Sequence, residues 1–196
     1  MDLKARATNI LTRPAQEWSV IAAEPSSPAD IMTNYAAPLA AIPAVCTFLG
    51  VTMVGIPTPL LGSVRFGIGR SLSNAIVSWV LGLAGVYLAA VVIDRLAATF
   101  QSKSDTIQAL KLVMYSATPV WLAGVFNLVP GTLAPLGILA GLYAIYLFYL
   151  GVPVLMHTPP DRVIPYMLVA AIVTVVLFVA AGALAGAVTG VGTYRL

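Results

Sequence analysis

Apolar residues dominate five blocks of this chain, near residues 35–57, 72–93, 111–129, 132–156 and 163–188. Each block has the roughly 20 apolar residues that a helix needs to cross a bilayer. From Leu112 to Met156 the chain runs 45 residues without Asp, Glu, Lys or Arg. This stretch is interrupted by the sequence Val129-Pro130-Gly131-Thr132, and Pro-Gly is a strong turn signal. The pattern predicts an all-α integral membrane bundle of five transmembrane helices.

Five spans place the two termini on opposite sides of the membrane, and the Lys and Arg counts select the sides. The N-terminal tail, the 94–111 loop and the 157–162 loop share one face with seven such residues, against three on the other face. Without the three in the N-terminal tail, which lie far from the first span, the ratio is four to three. The asymmetry predicts a cytoplasmic N-terminus, with Leu196 outside.

The first 33 residues have a pattern of their own and precede a membrane domain at 34–190 and a short tail at 191–196. Apolar residues recur at three- and four-residue intervals up to Ala22, with charged residues between them. The pattern predicts two short amphipathic helices in the membrane interface, the second opening at Pro14, with Trp18 at head-group depth. A solvated tail with incidental apolar residues is the alternative. No secretory signal is evident, so the first span is expected to direct insertion.

The composition agrees with a membrane location and argues against nucleic acid as a partner. The chain is 60% hydrophobic and 9% charged, whereas soluble domains are roughly 25% charged. The net charge of +3 comes from scattered residues, so there is no basic stripe of the kind that binds nucleic acid. The positive excess is typical of contact with anionic lipid head groups. Membrane lipids are therefore the expected partners.

Three stretches resemble the bacterial branch of the Yip1 family. They are Ile10–Trp18 with Ile21–Pro25, Ala109–Pro119 with Trp121–Gly124, and Leu142–Met156 with Thr158–Arg162. The resemblance implies five membrane helices, a cytosolic N-terminus and a location in the bacterial inner membrane. It implies no reaction and supplies no functional residues.

Polar and helix-breaking residues in the third and fourth blocks are candidates for contact with a lipid or solute. Tyr143, Tyr146 and Tyr149 follow one another at three-residue spacing, and a phenolic hydroxyl in hydrocarbon needs a partner. These tyrosines either pack between helices or line a polar path. The candidates for that path, or for contact with a lipid or solute, are Tyr115, Pro119, Asn127, Tyr143, Tyr146, Tyr149 and Pro153. Each of the two prolines removes a backbone donor and can kink its helix, a structural feature that sometimes marks a binding site.

Glycines at four-residue spacing form candidate helix-packing or dimer faces: Gly137 and Gly141 in the fourth block, and Gly182, Gly186 and Gly190 in the fifth. Such spacing lets two helix backbones approach closely. The contact is either within the chain or with a second copy, so a homo-oligomer is one expected partner and an unidentified membrane protein another.

The chemistry of the blocks argues against an enzyme, because they contain no Asp, Glu or His for an aspartyl or zinc site. No cofactor or metal is expected. Two functions stay open: a non-enzymatic protein that organises membrane lipids or partner proteins, and a channel or carrier for a small neutral or weakly polar solute. The carrier would use a site between the third and fourth spans.

Overall fold

The computed structural model describes residues 2–58, 62–131 and 134–189. Five helical segments are long and apolar enough to cross a membrane, and we call them the first to fifth spans: Pro28–Val54, Ile68–Phe100, Thr106–Leu128, Pro135–Leu155 and Pro160–Val188. They confirm the five predicted crossings and the all-α membrane bundle. Thr132 of the predicted turn, Gly190 and the 191–196 tail lie outside the described residues.

Two short helices precede the first span, α1 (Leu3–Thr12) and α2 (Pro14–Ala23). The side chain of Asp2 caps α1 by accepting from the backbone N–H groups of Lys4 and Ala5, and Pro14 starts α2, where a missing N–H costs nothing. The two predicted helices are thus present. Their apolar face packs on the spans, and Trp18 is fully buried by protein. Trp18 therefore contacts other residues of the bundle, and its head-group depth stays a prediction.

The first span is irregular because prolines interrupt its hydrogen bonding. It consists of α3 (Pro28–Ile31), a π-helical turn (Met32–Ala36), α4 (Ala37–Leu49) and a second π-helical turn (Gly50–Val54). The first π turn precedes Pro38. In a regular α-helix the ring of this proline would clash with the carbonyl group one turn earlier, and it has no N–H to donate to that carbonyl. Farther along, Pro43 lies against Gly124 of the third span, where an added Cβ would come within 2.6 Å of the proline Cβ.

A small hairpin joins the first and second spans: β1 (Ile56–Thr58) pairs with the antiparallel β2 (Gly62–Val64), and Ile56 is opposite Val64. The second span then comprises α5 (Ile68–Leu96) and a 3₁₀ turn (Ala97–Phe100). The third comprises α6 (Thr106–Ser116), α7 (Thr118–Ala123) and a 3₁₀ turn (Gly124–Leu128). The fourth and fifth spans are single helices, α8 (Ala134–Leu155) and α9 (Pro160–Thr189).

The helices extend beyond the apolar blocks, because the backbone hydrogen-bond ladder continues into polar sequence. The second span therefore includes Asp94, and the third begins at Thr106, five residues before the predicted block. Asp94 lies just beyond the predicted block at 72–93, which itself contains no Asp. Asp94 is buried, and its carboxylate accepts from the Ser104 hydroxyl at 2.8 Å and the Thr106 hydroxyl at 2.5 Å.

The two predicted loops of one face are in contact. The Ser102 hydroxyl lies 2.8 Å from that of Thr158, and the Lys103 backbone N–H donates to the Met156 carbonyl at 2.8 Å. We call this the N-terminal end of the bundle, because α1 and α2 pack there. At the hairpin end, Gly131 adopts a φ of +80° in the predicted turn and lies beside Pro57. The third span is the most enclosed of the five, with 67% of its most apolar window buried.

Candidate functional site: a buried charged cluster and an intramembrane cavity

The third span has protein on one side and a cavity on the other. The protein side is formed by α1, α2 and the start of the first span. Trp18 of α2 fits against Gly151 of the fourth span, where an added Cβ would lie 2.8 Å from the indole and 2.6 Å from the Leu112 side chain. The absence of a side chain at Gly151 therefore allows α2 to approach the bundle closely.

Four charged residues lie within this contact and, with Tyr115, form what we call the N-terminal cluster: Arg6, Glu17, Glu24, Lys111 and Tyr115. The guanidinium of Arg6 bridges the carboxylates of Glu17 and Glu24, and its Cζ lies 5.8 Å from the centre of the Tyr115 ring. Arg6 and Glu17 are both buried. Because a buried charge is strongly destabilising without a partner, the cluster ties α1 to α2.

Lys111 connects this cluster to the third span. Its ammonium group donates to the backbone carbonyls of Ile21 at 2.8 Å and Glu24 at 2.5 Å. These carbonyls belong to the end of α2, where helices leave carbonyl groups without internal partners. A positive charge is also favoured there by the helix dipole. The side chain of Gln108, one turn earlier, donates to the Ala22 carbonyl at 3.1 Å.

Two hydroxyl groups replace the backbone hydrogen bond that is missing at the break between α6 and α7. Pro119 has no N–H, so it cannot bond to the Tyr115 carbonyl one turn earlier. The Thr118 hydroxyl donates to this carbonyl instead, at 2.7 Å. Since Thr118 uses its one hydrogen in that bond, the Tyr35 hydroxyl 2.6 Å away must be the donor to Thr118. The first span is thereby fixed to the interruption of the third.

The other side of the third span faces a cavity of about 690 Å³, lined by residues of all five spans. This volume is within the roughly 300–1,000 Å³ that is usual for small-molecule sites. The wall contains many small residues, including nine alanines and three glycines. An added Cβ at Gly82, Gly141 or Gly182 would meet no heavy atom of the described residues within 4 Å. Small side chains therefore leave this space between the helices.

The cavity is apolar and open on one side. Its polar lining residues are uncharged, and among the described residues around it there is no Asp, Glu, Lys, Arg or His. Ile145, Val175 and Phe178, on the fourth and fifth spans, are 52%, 61% and 44% exposed. In a membrane this side faces lipid, so an apolar chain could enter without crossing a polar barrier.

Comparison with known proteins settles the family. The family model of the Yip1 domain matches residues 8–182. The chain belongs to the Yip1 domain family. The Yip1 domain of this chain is also similar to the inner membrane protein YohC of Escherichia coli strain K12 and to its counterpart in Escherichia coli O6:H1. Each is 32% identical over 157 residues, which cover 74% of this chain and 75% of the relative. No solved structure gives a significant match.

The candidate residues of the third span lie at separate places in this Yip1 domain. Tyr115 is buried in the N-terminal cluster, where its ring contacts Tyr35 with centroids 4.5 Å apart. Pro119 marks the predicted interruption of the span, which is confirmed. Asn127 lies at the hairpin end, and its amide donates to the Thr47 hydroxyl at 3.0 Å.

The fourth-span candidates lie beside α1 and on the outer surface. The Tyr143 hydroxyl donates to the Leu11 carbonyl at the end of α1, at 2.6 Å, and its ring is 5.6 Å from that of Tyr146. Tyr146 and Tyr149 are 47% and 46% exposed. Pro153 is exposed, within an uninterrupted helix. None of the seven candidates lines the cavity.

The glycine faces make no close contact within the described chain at Gly137, Gly141 or Gly182, where an added Cβ would have open space. Gly141 and Gly182 instead line the cavity, whereas Gly137, one turn before Gly141, is exposed and lies outside the cavity wall. Gly186 is half-buried. Contact with a second copy through these glycines stays a prediction.

The N-terminal cluster was not predicted from the sequence. A signal was available in the helical spacing: Arg6 is three residues after Leu3 and four before Ile10, so it lies on the apolar face of α1. Glu17 has the same relationship to Ile21 in α2. A charge on an apolar face predicts a buried partner, although it does not identify Lys111 as the residue that receives α2.

Proposed function

We propose that this Yip1 domain protein binds a membrane lipid without catalysing a reaction, and so organises lipid around itself. The observation that carries the proposal is the apolar cavity of about 690 Å³ between the five spans. Its wall is uncharged among the described residues and its open side is lined by fourth- and fifth-span residues. An acyl chain entering from the bilayer would gain packing contacts that the small wall residues do not supply to one another.

Membrane lipid is the partner class to which this proposal commits. The absence of a catalytic activity is part of the proposal, and it is supported by the uncharged character of the described wall. Contact with a second copy through the glycine faces, or with another membrane protein, stays a separate prediction.

Photocrosslinking in proteoliposomes tests the proposal. The probe is a phosphatidylethanolamine with a diazirine in the middle of one acyl chain, mixed into phosphatidylethanolamine and phosphatidylglycerol vesicles. Outward residues such as Ile138 and Ile164 are 67% and 62% exposed and will be labelled by bulk lipid. Val86 and Val113 line the cavity but are only 2% and 8% exposed. We expect peptides containing these two valines to be labelled as well.

A matched pair of glycine variants supplies the control. Gly141→Leu adds a side chain in the cavity wall, whereas Gly137→Leu adds the same side chain at an exposed position one turn away that does not line the cavity. Labelling of Val86 and Val113 should fall at least several-fold in the first variant and stay unchanged in the second. Labelling confined to outward residues in the wild-type protein would show that lipid does not enter the cavity.

A carrier for a small neutral solute is the second candidate function, favoured by the same cavity and by its uncharged polar residues such as Asn74 and Ser78. A carrier must expose its site to water on both faces, whereas a lipid site needs only the lateral opening. Stopped-flow light scattering with glycerol distinguishes them. Faster glycerol entry with the protein than with empty vesicles, abolished by Gly141→Leu, would favour the carrier over the lipid site.

A further inference from the structure

Ser116, a residue of the cavity wall, has a buried hydroxyl group that lacks a hydrogen-bond partner among the described residues. It is the last residue of α6 and is only 4% exposed. Its Oγ has no hydrogen-bond partner among the described residues, and the residue lines the cavity. Leaving a buried hydroxyl unpaired is destabilising, so such a group in a cavity wall points to a ligand that completes its hydrogen bonding.

Other hydroxyl groups around the cavity already have partners. The Thr174 hydroxyl donates to the Ala170 carbonyl at 2.7 Å, and the Thr47 hydroxyl accepts from the Asn127 amide at 3.0 Å. Ser78 is only half-buried. Ser116 therefore differs from these lining residues in combining deep burial with an unused hydrogen-bonding group.

The uncharged, mostly apolar wall around Ser116 restricts the chemistry of its ligand. A phosphate or an ammonium group would be strongly unfavourable there without an opposite charge. The described wall residues provide none.

We propose that the cavity selects an uncharged lipid, with an apolar tail and a carbonyl or hydroxyl oxygen that hydrogen-bonds to the Ser116 hydroxyl. Diacylglycerols and long-chain alcohols belong to this chemical class. Charged phospholipids can insert an acyl chain but cannot bring their head group to Ser116. This inference rests on the proposed lipid site and adds the class of ligand.

Competition photocrosslinking in proteoliposomes of phosphatidylethanolamine and phosphatidylglycerol tests it, with three diazirine probes: an alkane, a dialkyl glycerol with a free hydroxyl, and phosphatidylglycerol. We expect the glycerol probe to label the Val86 and Val113 peptides most efficiently. In Ser116→Ala this labelling should require about 3- to 10-fold more probe, the effect of losing one hydrogen bond. Alkane labelling should not change.

Two further variants separate the hydroxyl from its surroundings. Ser116→Thr keeps a hydroxyl and should retain preference for the glycerol probe, whereas Ser73→Ala removes an exposed hydroxyl from the second span and should have no effect. Equal labelling by the glycerol probe in wild type and Ser116→Ala, or preferential labelling by phosphatidylglycerol, overturns the inference. If no probe labels the cavity peptides, the proposed lipid site itself fails.

Discussion

The Lys111 ammonium group lies 2.8 Å from the backbone carbonyl oxygen of Ile21, so a charged residue within the third span caps the second N-terminal helix. The two residues are 90 positions apart in the sequence. Together with the Arg6 bridges, this bond makes the N-terminal helices an integral layer of the bundle. They cover the third span on the side opposite the cavity.

Replacing Lys111 with Met should weaken this attachment. The variant keeps an apolar stem but leaves the Ile21 and Glu24 carbonyls without their donor, at a cost of about 1–3 kcal/mol. The apparent Tm in detergent, followed by circular dichroism, should fall. Lys103→Met removes an exposed charge from the adjoining loop and serves as the control. Equal Tm values for the two variants would contradict the role assigned to Lys111.

The ion pairs of Arg6 predict that a second substitution should offset the effect of removing Arg6. Arg6→Met strands the buried Glu17 carboxylate, and breaking such a pair costs about 3–5 kcal/mol. Limited proteolysis in detergent should therefore cleave residues 1–24 faster. Adding Glu17→Gln should recover much of the resistance, because Glu24 is 32% exposed at its side chain and can be solvated. Lys4→Met, on the exposed face, should resemble wild type. Absence of rescue would show that charge pairing does not hold α1 to α2.

Gly151 should be intolerant of a side chain. Gly151→Ala places a methyl group against Trp18 and Leu112, and overfilling a packed contact costs about 1–3 kcal/mol. The measured apparent Tm should fall, with faster proteolysis of the N-terminal helices. Gly137→Ala, on the same helix but in open space, should not destabilise the protein. A Gly151→Ala variant with an unchanged Tm and unchanged proteolysis of the N-terminal helices would mean that Trp18 does not pack against Gly151.

The topology prediction has its own test. In a Cys46→Ala background, single cysteines at Lys4, Lys103 and Arg65 are labelled with a membrane-impermeant maleimide in oriented vesicles; all three sites are exposed. We expect Lys4→Cys and Lys103→Cys to react only from the cytoplasmic side and Arg65→Cys only from the outside. Labelling of Lys4→Cys and Lys103→Cys from opposite sides would refute the five-span arrangement.

The main features of the fold were predictable because they depend on local sequence. Apolar length determines the five spans, and Pro119 interrupts the third span whatever packs against it. The partners of Arg6 and Lys111 depend instead on contacts between distant segments. Helical spacing places Arg6 on a buried face, but only the three-dimensional packing brings α2 beside Lys111.

The cavity was less predictable than the helices that enclose it. The glycine spacing at Gly137 and Gly141 favours close helix packing in general, yet an added Cβ at either position meets open space within the described chain. Whether small residues form a contact or leave a gap depends on how far apart larger residues hold the helices. The aromatic residues drew attention to the fourth span, but none of its candidate tyrosines lines the space between the spans, whereas nine alanines and three glycines do.

Native mass spectrometry tests the central claim, a lipid site between the spans, most directly. Wild type, Gly141→Leu and Gly137→Leu are purified from membranes in the same detergent and released from micelles under identical conditions. We predict that wild type and Gly137→Leu retain one lipid per chain, and that Gly141→Leu, with its cavity filled, retains none. Retention of the same lipid by all three proteins, or by none, would contradict the account.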